Sequence, residues 1–408
     1  LTGFQQDPDR ARRLRGRFSA RTQGAEIAKP ESEPPQKLRR WAGDFSGAFA
    51  DLGTFLPLII GVFAVQRLDP TGVLVGFGVF ALAVALIYRR PVPVQPMKAV
   101  AAVVIAGGLS ASDVAATGLL LGVALTALAV TGAVGYLARV IPKSVLSGVQ
   151  LGVGLHLAWA GAGLVSEEIA VGGLALAALL ILQRTAFKPL SALAVVAGAA
   201  LWGAAQTDAT LPSLSLGLSL PQLQLPDWDS TWVAGETVLL PQLALTVTNA
   251  ALVTAAIAGE LFPRDRERIT PDRLALSSGA LNLLLAPLGA FPMCHGAGGL
   301  VVQHKFGART GLAPALFGAT CLSLGLFLGT DALALLSLLP LAAVGALLVL
   351  AGADLALNKQ LRQARPDCLF VIALTGLICV TVNVAVGLLA GLLVESVRSF
   401  ATRRRSEP

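Results

Sequence analysis

The sequence predicts an all-α polytopic membrane protein of 14 spans, built as two inverted seven-span repeats. Three observations carry this: an apolar composition, landmarks that recur about 195 residues apart, and basic residues sorted to one side. Hydrophobic residues make up 55% of the 408 and charged residues 13%, and the 43 glycines sit largely within the apolar segments. That profile belongs to a helical membrane protein, in which length counts spans more than soluble domains. Cys294, Cys321 and Cys379 lie in apolar segments and Cys368 at a segment start. That spacing excludes a disulfide framework and a zinc motif, so neither metal nor cofactor is expected.

Residues 1–41 are polar and arginine-rich, punctuated by Pro30, Pro34 and Pro35, and are expected to form a disordered basic tail. A transit peptide is the alternative, opposed by Asp7, Asp9, Glu26, Glu31 and Glu33. The first membrane repeat, 42–206, holds spans expected near 44–64, 72–88, 93–108, 114–138, 143–164, 169–183 and 188–206. A polar extracytoplasmic loop covers 207–235. The second repeat, 236–401, holds spans near 236–260, 272–288, 291–306, 311–330, 333–357, 367–382 and 384–401. A basic tail, 402–408, closes the chain.

Charge supports this count independently. With the N-terminal tail on the cytoplasmic side, the inner loops carry Arg89, Arg90, Arg139, Lys143, Arg184 and Lys188. Later inner loops carry Arg264, Arg266, Arg268, Arg273, Lys305, Arg309, Lys359, Arg362 and Arg365. The outer loops carry Asp113, Glu167, Glu168, Asp208, Asp227, Asp229 and Asp331. Of 31 lysines and arginines, only Arg67 falls outside and only Lys98 falls well inside the membrane. The positive-inside rule then places both termini in the cytoplasm, with the cell (inner) membrane as the expected location. An odd number of spans per repeat inverts one half relative to the other.

Spans 3 and 10 break the helical pattern. Residues 91–108 read PVPVQPMKAVAAVVIAGG, where Pro91, Pro93 and Pro96 remove backbone donors and favour an extended entry. From Pro96 onward the run is Ala/Val-rich, long enough for a half-helix of about 18 Å in a core of about 30 Å. Residues 289–306 read GAFPMCHGAGGLVVQHKF, with Pro292 in the part of Pro96. The only two methionines, Met97 and Met293, each follow these prolines and lie 196 residues apart. Paired interrupted helices in matching positions of two halves point to a transporter's binding site.

In the inverted topology the two half-helix N-termini face each other near mid-membrane, where free N–H groups and partial positive charge hold an anion. Gly296, Gly298 and Gly299 allow close approach of backbone or ligand. The alternative is that Pro and Gly merely kink two packed helices. Lys98 follows the first N-terminus, and a charge at that depth needs a cavity or a counter-charge. Its alternative role is an ion pair with Asp44 or Asp51. Asp44, Asp51 and Thr54 are expected on one face of the first span, Asp51 as the deeper, proton-sensitive group and Asp44 at the interface.

Gln95 offers an amide donor just before the first half-helix. For His295, beside Cys294, ligand contact, proton relay and packing all stay open; a metal site there lacks partner ligands. Thr248 and Asn249 are polar in the apolar run LALTVTNAALV and offer hydroxyl and amide to an oxyanion, or glue between helices. His156, Gln150, Asn282 and Gln303 read as packing or lining residues. The glycine pairs 43/47, 72/76 and 148/152 read as small-residue helix contacts. The isolated GxG at 76–78 lacks the rest of a dinucleotide fingerprint. The basic tails read as topology signals near anionic lipid, with no nucleic-acid partner.

The stretches GAFADLGTFLP (47–57), PVPVQPMKAVAA (91–102) and FPMCHGAGGLVVQHKFGARTG (291–311) resemble the molybdate transporter family of plants, algae and bacteria, related to the sulfate permeases. The resemblance runs over essentially the whole membrane portion. It implies the fourteen-span fold shared with sulfate permeases and the uracil transporter, in which a core bundle moves against a gate bundle. It also implies molybdate as substrate, with sulfate or tungstate as competing partners, and a homodimer. The short segment after the last span is read as leaving no room for a C-terminal STAS domain.

The substrate-binding set expected from residues and resemblance together is Gln95, Pro96, Met97, Lys98, Met293, Cys294, His295, Gly296, Thr54, Thr248 and Asn249. Asp44 and Asp51 are the expected proton-coupling or counter-ion groups. The expected activity is secondary active transport by alternating access, since no ATP motif is present, and proton coupling would rest on Asp51 and His295. Sulfate, another anion or a nucleobase on the same fold is the alternative; a nucleobase carrier would place acidic residues where Lys98 and His295 stand. A membrane enzyme is opposed by the lack of a nucleophile–base pair within a span. A passive channel is the remaining contrast.

Overall fold

The computed structural model describes residues 36–66, 68–185, 187–206, 217–357 and 359–406. The expected tail over 1–35, Arg67, and the part of the expected loop over 207–216 lie outside the described residues. The compact unit is Arg40–Pro408.

The chain enters through α1 (Gln36–Ala48) and α2 (Leu52–Gln66), then α3 (Pro70–Tyr88). Asp69 caps α3 by accepting the N–H groups of Thr71 and Gly72, and Pro70 occupies a first-turn position where its missing donor costs nothing. Strand β1 (Gln95–Pro96) leads into α4 (Lys98–Ile105). Next come α5 (Ala111–Val130), α6 (Val134–Val140), α7 (Lys143–Glu167), α8 (Ile169–Leu182) and α9 (Ser191–Gln206). The long helical run α10 (Trp228–Leu261) contains two π-helical segments, Gly235–Leu239 and Thr246–Val253. It is followed by α11 (Pro271–Leu285), strand β2 (Met293–Cys294) and α12 (Ala297–Lys305). The remaining elements are α13 (Leu312–Leu336), α14 (Leu341–Ala356), α15 (Lys359–Arg362), α16 (Pro366–Thr381) and α17 (Val384–Ser406).

Among the described residues, six helical runs are long and apolar enough to cross a membrane: Arg40–Val65, Pro70–Tyr88, Ala111–Val130, Lys143–Glu167, Trp228–Leu261 and Leu312–Gly329. Helices α8, α9, α14 and α16 are shorter and apolar. Large apolar side chains such as Leu86, Val130, Trp159 and Leu201 stand on the outer surface, which a bilayer solvates and water does not.

Several expected boundaries move. The first span is not one continuous helix: it breaks at 49–51, so Asp44, Asp51 and Thr54 do not share one unbroken helical face. Asp51 instead stands at the start of α2, where its carbonyl accepts the N–H groups of Thr54 and Phe55. Aspartate competes with the backbone inside a helix and is favoured at such a start. The span expected over 114–138 divides between α5 and α6 at a turn through Gly132, whose φ of 70° suits glycine. Helix α13 continues through Asp331 to Leu336, because no breaker intervenes before Pro340, which precedes α14. The loop expected to reach 235 is already helical at Trp228, where Asp227 accepts from Ser230 N–H at 2.7 Å. Those hydrogen bonds to Ser230 hold the Asp227 carboxyl below the usual range. Helical structure also covers 36–41 and extends through 402–406.

Long helix pairings organise the interior: α3 with α13, α5 with α11 and α7 with α14 run antiparallel, and α7 with α16 parallel. Small residues let these backbones approach. A side chain at Gly148 would strike Thr375, one at Gly152 would strike Cys379, and one at Gly72 would strike the carbonyls of Leu288 and Gly289. Without a hydrophobic drive between helices in lipid, close packing of this kind supplies the association. Phe55 packs edge-to-face on both Phe77 and Phe317, joining α2, α3 and α13.

Candidate functional site: two opposed half-helices

Strands β1 and β2 pair antiparallel, with Gln95 opposite Cys294 and Pro96 opposite Met293. Met97 N–H adds a bond to Pro292 O at 2.9 Å. Extended backbone buried at this depth must find partners, and each proline-rich entry finds them in the other. Antiparallel pairing sends the chain into α4 and α12 in opposite directions, with both helix N-termini at the ladder. Asn282 of α11 braces the second strand: its Oδ1 accepts Met293 N–H at 2.9 Å and its Nδ2 donates to Met293 O at 2.6 Å.

Neither half-helix has a cap from its own first turn. Met97 and Gly296 are the N-cap residues, and neither makes a side-chain capping bond. The first bonds within the helices run from Ala101 N–H to Met97 O and from Leu300 N–H to Gly296 O. The N–H groups of residues 98–100 and 297–299 are therefore without intrahelical acceptors. Of these residues, Lys98, Ala297 and Gly298 border a cavity of about 340 Å³ whose wall also includes Gln95, Gln150, Asn249 and Cys294. Lys98 is half-buried, and among the described residues it makes no ion pair within 4 Å.

The other expected residues divide by placement. Pro96, Cys294, His295 and Gly296 border the cavity. Met97 and Met293 are wholly buried and contribute backbone bonds. Gln95 Nε2 donates to the Asp51 carboxylate, so its amide is engaged. Gly296 and Gly299 make room for this pair: a side chain at Gly296 would strike the Gln95 amide, and one at Gly299 the Asp51 carboxylate.

Thr54 lines an adjoining cavity of about 190 Å³ together with Lys98, Gln150 and Asp354. That space borders a third, of about 520 Å³, which includes Asp51, Thr54 and Asp354 and reaches Lys188 and Lys305. Thr248 is buried and its hydroxyl donates to Ala244 O at 2.7 Å, so of the Thr248–Asn249 pair only Asn249 borders the main cavity. His156 borders a separate cavity with Ile105 and Trp159.

The counter-ion expectation needs correction. Asp44 is not a counter-ion to Lys98, because its carboxylate accepts the N–H groups of Arg309 (2.7 Å) and Thr310 (3.0 Å) and the Thr310 hydroxyl (2.6 Å). It ties α1 to the turn after α12. The paired alternative with Asp51 does not form either, since that carboxylate meets Gln95. His295 is 2% exposed and its ring is fully engaged: Nδ1 lies 3.2 Å from Pro93 O and Nε2 2.9 Å from Ser277 Oγ. A carbonyl only accepts, so Nδ1 carries a proton. Ser277 Oγ lies 2.7 Å from the Tyr88 hydroxyl, and the ring packs edge-to-face with Phe80 and Tyr88.

Sequence reasoning missed Gln242 and Asp354. Both are polar residues in apolar runs, a signal that was available. Gln242 borders the main cavity and its Oε1 accepts Ala99 N–H at 3.0 Å. Among the described residues no group of three or more His, Cys, Asp or Glu side chains is placed to hold a metal ion.

A multi-helix membrane fold with two broken segments meeting end to end defines a membrane transporter class. Solved structures share the fold. The transmembrane domain of a cyanobacterium bicarbonate transporter, BicA, matches with a TM-score of 0.63 at 17% identity, over 86% of this chain and 97% of that one. Murine Slc26a9, an anion transporter solved in the inward-facing state, matches with a TM-score of 0.64 at 12% identity, over 96% of this chain and 75% of that one. The family described as "Molybdate transporter of MFS superfamily" matches residues 43–157 and 236–355. Molybdate transporter 2 of Arabidopsis thaliana is 30% identical over 392 residues, covering 84% of this chain and 83% of that one. Molybdate transporter 1 of Chlamydomonas reinhardtii is 29% identical, covering 86% and 90%. The chain belongs to the molybdate transporter family. It is an integral, multi-pass membrane protein of anion transport and not an enzyme.

Proposed function

We propose that the chain carries molybdate across a membrane by alternating access, holding the oxyanion between the N-termini of α4 and α12. The observation that carries this reading is the antiparallel β1–β2 ladder, which sets the first turns of α4 and α12, with Lys98, beside one cavity. Several donors at fixed angles suit a tetrahedral dianion, and charge-assisted bonds to it are the strong ones. Lys98 supplies charge; Asn249 and Gln95 supply amides. Molybdate comes from the names of the relatives, with sulfate and tungstate as competitors.

Fourteen crossings in two inverted sets of seven follow if the two strand–helix units, α11 and α17 are counted with the six long runs and the four shorter apolar helices. On that count Lys188 and Lys305 stand on the cytoplasmic side with both termini, and the adjoining cavities form the inner route. A homodimer in the cell (inner) membrane completes the proposal.

Proton coupling is assigned to Asp51. Protonation would weaken its hold on the Gln95 amide and release that donor to the oxyanion. Lys98, Lys188, Lys305 and Asp354 share its surroundings and set the charge it meets. Uptake by the reconstituted chain should fall several-fold when an imposed pH gradient is collapsed. A rate indifferent to the gradient removes the coupling but leaves the carrier. The carrier itself is tested by binding of molybdate to purified wild-type chain and to Lys98→Ala, with sulfate as comparison. Equal binding by the two proteins overturns the assignment of the site.

A further inference from the structure

Gln242 lies in the stretch Leu240–Leu245 of α10, between the two π-helical segments. Its side chain is 2% exposed and borders the main cavity. Oε1 accepts the Ala99 N–H at 3.0 Å, and Nε2 donates to Thr246 Oγ1 at 2.9 Å. The orientation of the amide follows from its partners, since a backbone N–H only donates. Ala99 is the middle of the three donors that open α4 without an intrahelical acceptor. A side chain 143 residues away therefore provides the cap that Met97 does not. The facing helix α12 has no such cap at Gly296.

A cap of this kind occupies one of the donors that the proposed binding site needs. We propose that Gln242 is an affinity-setting residue of the binding site that stands in for an oxyanion oxygen while the site is empty. The inference rests on the carrier reading above and deepens it. A bound tetrahedral oxyanion takes the Ala99 N–H, and the Gln242 carbonyl is displaced from it. The exchange favours a strongly charged acceptor, because a dianion oxygen accepts a hydrogen bond more strongly than a neutral amide oxygen does. Every oxyanion meets the same displacement cost, so Gln242 lowers the affinity of the site for all of them alike and sets how strong an acceptor must be to bind at all.

The flanking structure suits a side chain that moves. Thr246, the anchor of the Gln242 amide nitrogen, opens the second π-helical segment. Such segments collect at functional sites, where the backbone register has slack. Release of Ala99 is in this way linked to the part of α10 that presents Asn249 to the cavity.

The test uses the full-length chain purified in detergent, with molybdate and sulfate as the titrants and thermal unfolding as the control. Gln242→Glu places a charged acceptor on Ala99 N–H and should weaken molybdate binding by about tenfold or more. Its unliganded form should unfold at or above the wild-type temperature. Gln242→Met keeps the shape and removes the acceptor, so molybdate and sulfate should both tighten by about threefold, with the preference between them unchanged.

Two results overturn the inference. One is binding constants for both anions that match wild type in both variants. The other is an equal loss of both anions in both variants together with lowered unfolding temperature, which marks a purely structural cap. A wild-type chain that binds neither anion overturns the carrier reading itself, and the inference with it.

Discussion

The two strand–helix units contribute different things to one cavity. In β1–α4 every helical residue after Lys98 is buried, the entry is stiffened by three prolines, and the unit carries the cation. In β2–α12 there is no charged residue in the first turn; small residues, Gly296 to Gly299, open its N-terminus, and Gly298 is exposed. Charge comes from one side and backbone access from the other. The asymmetry has a steric basis, because the Gln95–Asp51 pair lies against Gly296 and Gly299 and leaves no space for side chains there.

This division orders the expected effects of substitution. Lys98→Ala should weaken molybdate binding by about ten- to a hundredfold, the scale of a lost charge-assisted contact of about 1.5–3 kcal/mol. Isothermal titration of the folded variant checks this. A loss no larger than that from any change in the second unit would remove the distinction between the units. Asn282→Ala should act through stability instead. It strips partners from Met293 N–H and O, both buried, at a cost of about 1–3 kcal/mol for each group left unpaired. A fall in unfolding temperature, with binding impaired only in proportion to unfolded protein, is the expected outcome.

Gly299→Ala drives a methyl group into the Asp51 carboxylate and the Gln95 amide. Transport should drop by about tenfold, because Gln95 is displaced from its place beside the ladder. Gly298→Ala is the mildest change. A methyl group there meets nothing within 4 Å, and Ala is the better helix former by up to about 1 kcal/mol. It projects into the cavity and should raise the molybdate KM by about threefold with no loss of stability. A larger effect at Gly298 than at Gly299 would show that cavity volume, not the Gln95–Asp51 pair, governs the second unit.

How far the sequence reached depends on the range of the forces involved. The broken segments were legible because proline removes donors wherever it stands, so Pro91, Pro93, Pro96 and Pro292 announce extended backbone without any tertiary context. The break at 49–51 was not, because no proline stands there before Pro57 and Asp51 at a helix start looks the same as Asp51 on a helix face. The boundary after α13 was misplaced for a similar reason: Asp331 looks like a loop residue, while the helix ends only before Pro340.

Local chemistry thus determined the apolar helices, the two interruptions, the lysine beside one of them and the glycines beside the other. Tertiary structure decided the partners. Asp44 could have met Lys98 and instead holds Arg309 and Thr310; the His295 ring, at the border of the cavity, is held between Ser277 and Pro93. Gln242 reaches Ala99 from a distant helix. A hydrogen bond acts over about 3 Å, so no spacing along the chain records it until the fold has brought donor and acceptor together.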